Sequence, residues 1–185
     1  QSLRDRGIKP QAIRDFIINL GIRKANITTP IENLYIANKK FIEDSPRYFF
    51  VENPIKIKIH GCPELTAKIP LHPNNQQGFK ATPTTQEFLI PEADFEFLED
   101  TDYRLLHLLT FNSSQTGLEP RTFSFISQEP SSQTKFLSWL PASPNNIKVD
   151  VRMPGGQIKS GLGESHLEKL KVGDIVQFER VGFAR

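Results

Sequence analysis

The hydrophobic period of this chain changes at Pro46, and that change limits the folds available to it. Before Pro46, apolar residues recur at spacings of three and four, as in Ile13, Phe16, Ile17 and Leu20, the stripe of an amphipathic helix. After it, Ile55-Lys56-Ile57-Lys58-Ile59 alternates strictly, which buries one face of a strand and wets the other. A short helical segment leading into a mainly β region is the expected architecture. Local punctuation agrees. Pro10 suits a helix start, where its missing N–H costs nothing. Gly7 and Gly21 suit left-handed helix stops, and residues 1–6 read as the tail of an earlier helix. Thr29-Pro30-Ile31-Glu32 predicts a capping box with proline in the first helical position, and Leu34, Ile36, Ala37 and Phe41 supply that helix with apolar surface.

Beyond the alternating run, further strands are expected at 48–51, 65–69, 87–90, 103–109, 121–126, 135–140, 147–152, 157–160 and 174–180. Pro154-Gly155-Gly156 predicts a hairpin turn between two of them. Short helices are expected at 91–98 and 164–170, and surface loops at 72–78, 112–117 and 127–133. Many short strands with frequent turns point to barrels or sandwiches rather than a βαβ sheet. The 14 phenylalanines fit such cores.

A net charge of +2 excludes a histone-like polycation, so a nucleic-acid role has to rest on local patches. The helical start is basic, with Arg4, Arg6, Lys9, Arg14, Arg23, Lys24, Lys39, Lys40 and Arg47 outnumbering its acids. Residues 87–102 are acidic, and a phosphate backbone is expected to avoid them. A single cysteine, Cys62, excludes an intramolecular disulfide and a multi-cysteine zinc site; it reads as a plain structural or surface cysteine rather than a nucleophile. No apolar run reaches the length of a membrane span.

The usual signatures of catalysis are missing. Gly155-Gly156 and the 161–163 glycines lack a phosphate-gripping pattern. His60, His72, His107 and His166 are too dispersed for a ligand pair. No catalytic and no metal-binding residue is expected, and no cofactor for these residues. The chain opens on Gln1 in what reads as the last turn of a helix, so it is expected to be a piece of a longer protein.

Several motifs occur in an informative order: residues 3–16 (LRDRGIKPQAIRDF), Gly21–Lys24 as glycine-x-x-lysine, Ser45-Pro46-Arg47, Pro54-Ile55-Lys56-Ile57, His72-Pro73-Asn74, Leu137-Ser138-Trp139-Leu140, and 171–185 (KVGDIVQFERVGFAR). Together they resemble the region downstream of the catalytic core in class I glutamyl- and glutaminyl-tRNA synthetases. The resemblance spans essentially the whole chain and is strongest in its closing segment. It implies a helical stem-contact subdomain followed by two anticodon-binding β-barrels, with the last strand returning to the barrel nearer the helices. In this scheme the helical subdomain covers 1–47, the proximal barrel begins at 48–110, the distal barrel covers 111–165, and 166–185 close the proximal barrel.

The resemblance also assigns tRNA contacts. Lys24 lies near the anticodon stem. Arg47, Asn74 and Arg104 contact anticodon nucleotides or flanking phosphates, and Gln177 with Arg180 form a paired reader. Arginine and glutamine are suited to unpaired bases because both offer forked donors to base edges. Gln177 and Arg180 are three apart, so in an ideal strand they face opposite sides; a bulge or a strand end is needed for both to reach RNA. Phe178 and Phe183 are read as core, Trp139 as core rather than a stacking platform, and Glu179 as a residue that orients Arg180.

Leu106, the acidic stretch before Arg104 and the short segment between Trp139 and Gln177 depart from the glutaminyl pattern. They favour the archaeal-type glutamyl branch. The resemblance therefore implies recognition of tRNA(Glu), and of tRNA(Gln) in enzymes that accept both, by a cytoplasmic glutamate–tRNA ligase. Its ATP and Mg²⁺ act in a catalytic domain outside these residues, and other translation proteins are further partners. The rival readings are a free-standing β-barrel RNA-binding protein and a domain that docks other synthetases or an amidotransferase.

Overall fold

The computed structural model describes residues 3–21, 28–74, 78–114, 121–130 and 134–185. The helical start contains α1 (Pro10–Leu20) and α2 (Ile31–Lys39). Pro10 opens α1 and Gly21, at φ 69°, closes it. The two helices are joined by Asn38, which is 2% exposed. Its Oδ1 accepts from the Lys9 backbone N–H at 2.8 Å and its Nδ2 donates to the Gly7 carbonyl at 3.2 Å. This amide satisfies a backbone donor that the start of α1 leaves open.

Two expectations fail here. Pro30 is the residue before α2 rather than inside it, with φ −58° and ψ 142°, and no side chain caps the helix. Thr29 therefore sits one residue too early to reach the first-turn amides, and its hydroxyl accepts from Asn33 Nδ2 at 3.0 Å instead. The apolar stripe of α1 is also only partly covered. Ala12 is fully buried, whereas Ile17 is 61% exposed.

The rest is mainly β. In chain order the strands are β1 (Arg47–Tyr48), β2 (Phe50–Glu52), β3 (Pro54–His60), β4 (Leu65–Pro70), β5 (Phe79–Thr84), β6 (Glu87–Pro91), β7 (Asp102–Leu105), β8 (Leu109–Asn112) and β9 (Thr122–Ser127). They continue with β10 (Lys135–Leu137), β11 (Leu140–Pro141), β12 (Ile147–Arg152), β13 (Ile158–Gly163), β14 (Val176–Phe178) and β15 (Gly182–Ala184). A short helix, α3 (Glu92–Glu96), follows β6, and a 3₁₀ turn covers Ser165–Lys169. Gly156, at φ 89°, makes the expected turn between β12 and β13.

The ladders form a seven-stranded sheet in the order β10-β7-β8-β9-β3-β6-β11, two three-stranded sheets, β1-β14-β15 and β12-β13-β2, and the ribbon β4-β5. No ladder closes on itself among the described residues. The seven-stranded sheet takes strands from both sides of residue 110. Among the described residues there are two apolar cores. One gathers Ile57, Ile59, Phe88, Leu105, Phe111, Phe123 and Trp139 with their neighbours. The other joins Tyr48, Phe50, Leu167, Val176 and Phe178.

Several strands differ from the sequence reading. The run at 103–109 is split, because His107 adopts φ 62° and turns β7 back into β8. No glycine or proline marks that turn. β5 is not among the strands expected from sequence. Its buried face carries Lys80, Thr82 and Thr84, and its exposed face Phe79, Ala81 and Pro83. That polarity is inverted, so a hydrophobic alternation test finds no strand there.

Candidate nucleic-acid interface

The closing strand returns to the first one after the helices. β14 pairs in parallel with β1, setting Gln177 opposite Arg47 and Phe178 opposite Tyr48. The Gln177 N–H donates to the Pro46 carbonyl at 2.9 Å and the Glu179 N–H to Tyr48 at 3.0 Å. Tyr48, Val176 and Phe178 face the core. Strand alternation therefore places Gln177 and Arg47 side by side on the opposite face. Across the other edge, Gln177 pairs with Phe183. Phe183 is half-buried and belongs to neither core, so the expectation that it is core fails, whereas Phe178 is 5% exposed and core.

Residues 177 and 180 escape the alternation problem because the strand stops. β14 ends at Phe178, and Arg180 occupies the turn into β15 at φ 63°, a left-handed position that non-glycine residues seldom take. Arg180 donates through both Nη atoms to the Asp94 carboxylate in α3, the Nη2–Oδ1 bond being 2.8 Å. Glu179 does not orient Arg180. Its Oε1 lies 3.5 Å from Arg47 Nη1. Arg47 and Arg180 thus each have their own acid, and Arg47 Nε is buried without a partner.

Beneath this face lies an ion pair that sequence reasoning missed. Lys80 Nζ donates to Glu164 Oε1 at 2.6 Å and to the Arg47 carbonyl at 2.7 Å. Glu164 Oε1 also accepts from the Phe49 N–H at 2.7 Å. The ammonium lies 4.6 Å from the Tyr48 ring centroid. Burial pulls the Lys80 ammonium below the ordinary lysine value, while the Glu164 carboxylate acts the other way. No spacing rule connects positions 80 and 164; a strong clue would have been a lysine inside the buried set of β5.

The remaining candidates are spread. Asn74 is exposed on the turn after β4. His72 shapes that turn, accepting the Asn74 N–H at Nδ1 (3.3 Å) and facing the Glu43 carbonyl through Nε2 (3.2 Å). The turn stays close to Arg47, whose N–H donates to the Leu71 carbonyl at 2.7 Å. Lys24 lies outside the described residues. Arg104 is 8% exposed. It donates to Thr110 Oγ1 at 3.1 Å and to the Glu129 and Gln128 carbonyls at 3.0 and 2.9 Å. The guanidinium thereby fastens the start of the loop after β9. Arg104→Met should destabilise the fold by about 1.5–3 kcal/mol, the range for hydrogen bonds to charged groups. Urea denaturation would measure it.

Cys62 is buried, and burial pushes its thiol up to about 11, so it is a neutral packing group at ordinary pH. Among the described residues no group of three or more His, Cys, Asp or Glu side chains could hold a metal.

Two family models match the chain. Residues 45–119 and 133–185 each match a model described as tRNA synthetases class I (E and Q), anti-codon binding domain. The chain belongs to that family. Arg47, Asn74 and Arg104 fall within the first match, as does Asp94, and Gln177 and Arg180 within the second.

Curated relatives agree. A glutamate–tRNA ligase of Methanocaldococcus jannaschii is 34% identical over 100% of this chain and 34% of its own length. Those of Methanobrevibacter smithii (34%, over 97% of this chain and 32% of the relative) and Pyrococcus horikoshii (33%, over 100% and 34%) are similar. The chain thus spans about a third of the length of the relatives it matches.

Proposed function

We propose that this chain recognises the anticodon arm of tRNA(Glu) on behalf of a cytoplasmic glutamate–tRNA ligase, with Arg47, Gln177 and Arg180 reading unpaired bases. The observation that carries this reading is the juxtaposition of Arg47 and Gln177 on paired strands, with Arg180 in the turn just beyond. It joins the two matched segments in one place. Forked donors on a sheet face suit base edges, which are accessible only in unpaired RNA. Asn74, on a turn tethered beside Arg47, is a flanking contact, and Lys24 is a stem contact in the helical segment. Arg104 acts indirectly by holding its loop.

The activity belongs to the whole enzyme. Its ATP and Mg²⁺ act in a catalytic portion outside these residues, and acceptance of tRNA(Gln) is a property of the same reading face. The two barrels implied by the family resemblance are part of this proposal. The separation of buried apolar side chains into two clusters supports it.

The test is binding of the chain to an anticodon stem-loop and to a hairpin with the same stem and a scrambled loop. The cognate loop should bind more tightly. Arg180→Ala or Gln177→Ala should weaken it about 5- to 150-fold, since a good bidentate base contact is worth about 1–3 kcal/mol. Lys24→Ala should weaken both hairpins alike, as loss of a phosphate contact does. Equal affinity for both hairpins would refute anticodon reading.

A further inference from the structure

Arg180 is half exposed, with its side chain at 46% of full accessibility, while that of its partner Asp94 is at 16%. The carboxylate engages both Nη atoms. This end-on fork leaves Nε–H and the outer Nη hydrogens available. The turn geometry and the fork together fix the plane of the guanidinium. Arg47 is faced by Glu179 through a single, longer contact, Nη1 to Oε1 at 3.5 Å. A surface intended to hold a phosphate backbone would leave such arginines unopposed, because a net positive charge binds any phosphate by releasing counterions. Phosphates carry no sequence information, so an unopposed arginine beside an RNA loop is drawn to every nucleotide equally.

We propose that Asp94 is a specificity-determining residue. It neutralises Arg180, so that the arginine does not serve as a general phosphate ligand and its remaining donors recognise a base edge. The contact relies on orientation rather than net charge. This rests on the reading of Gln177 and Arg180 as anticodon readers. Asp94 is a positioning residue, since it acts through Arg180.

Asp94→Asn tests the proposal because it keeps the size and removes the charge. The variant should bind scrambled-loop hairpins about 3- to 10-fold more tightly at low salt, with cognate binding little changed, so discrimination narrows. The plot of log affinity against log salt should steepen by about 0.7, the contribution of one additional cation on a single strand. Asp94→Glu should restore most of the discrimination.

If Asp94→Asn weakens cognate and scrambled hairpins equally at an unchanged salt slope, Asp94 merely supports the turn and the proposal is overturned. An unchanged discrimination ratio would overturn it too, while leaving anticodon recognition intact. A wild-type chain that binds neither hairpin, or both equally, would overturn the underlying reading as well.

Discussion

Lys80→Ala should lower the stability of the chain by about 3–5 kcal/mol, the usual cost of removing one member of a buried ion pair. The Lys80 and Glu164 side chains are 3% and 4% exposed, so neither can turn to water when the other is lost. Truncation would leave the Glu164 carboxylate buried without its ammonium partner, with His166 Nδ1 3.3 Å from Oε2 as the neighbour that remains, and deprive the Arg47 carbonyl of a donor. It would also empty the space over the Tyr48 ring. Packing alone does not explain the effect. Lys80→Met should still be costly, because it fills the volume without supplying charge. Adding Glu164→Gln should recover part of the loss, because glutamine still offers the Phe49 N–H an acceptor and carries no charge. The single and double variants, followed by urea denaturation, form a cycle whose coupling term isolates the pair. Additive losses would show that the charges do not depend on each other. The variants bear on the proposed role of Arg47 as well, since Lys80 anchors the backbone there.

How much of this was legible depends on whether the physics is local. The helical start, the alternating β3, the hairpin at Gly156 and the core position of Phe178 follow from periods and turn residues within a few positions. β5 was invisible because its interior is polar: Lys80 is stabilised by Glu164, far along the chain. The turn at His107 was missed because a histidine holds the left-handed position that glycine usually signals. The candidate site divides in the same way. Gln177 and Arg180 could be named from a motif, but their proximity to Arg47 exists only through the parallel β1–β14 ladder.

The acidic stretch illustrates this most directly. As sequence it reads as a region that repels RNA. In the fold three of these acids are matched by basic residues brought from elsewhere: Glu87 by Lys56 at 2.8 Å, Glu99 by Lys135 at 2.6 Å, and Asp94 by Arg180. Composition counts these acids against binding, whereas topology makes one of them the partner of Arg180, the proposed reader. Arg104 shows the reverse. It looks available in sequence, but its donors are committed to Thr110 and the backbone at Gln128 and Glu129.

Trp139→Ala should be comparably destabilising, at about 3–5 kcal/mol for a buried aromatic cut back to a methyl group. The indole is 0% exposed and lies in the larger core. Its ring centroid is 5.5 Å from that of Phe88 at 81°, an edge-to-face contact, and 5.8 Å from that of Phe49 at 46°. Its Nε1–H donates to the Leu106 carbonyl at 2.8 Å, which ties the segment between β10 and β11 to the turn after β7. Alanine would leave a cavity flanked by two phenylalanines and orphan that carbonyl. Trp139→Phe should cost less, because it keeps most of the apolar contact and loses the hydrogen bond. The same burial decides between a packing role and base stacking, the two uses a tryptophan can have on an RNA-binding chain. Trp139 is the only tryptophan present, so its fluorescence reports one environment. It should emit at the short wavelengths of a dry indole, and the emission maximum should not move when the anticodon stem-loop saturates the chain. A shift or strong quenching that tracks RNA occupancy would place a base against the ring and refute the core assignment, whatever the stability of the alanine variant.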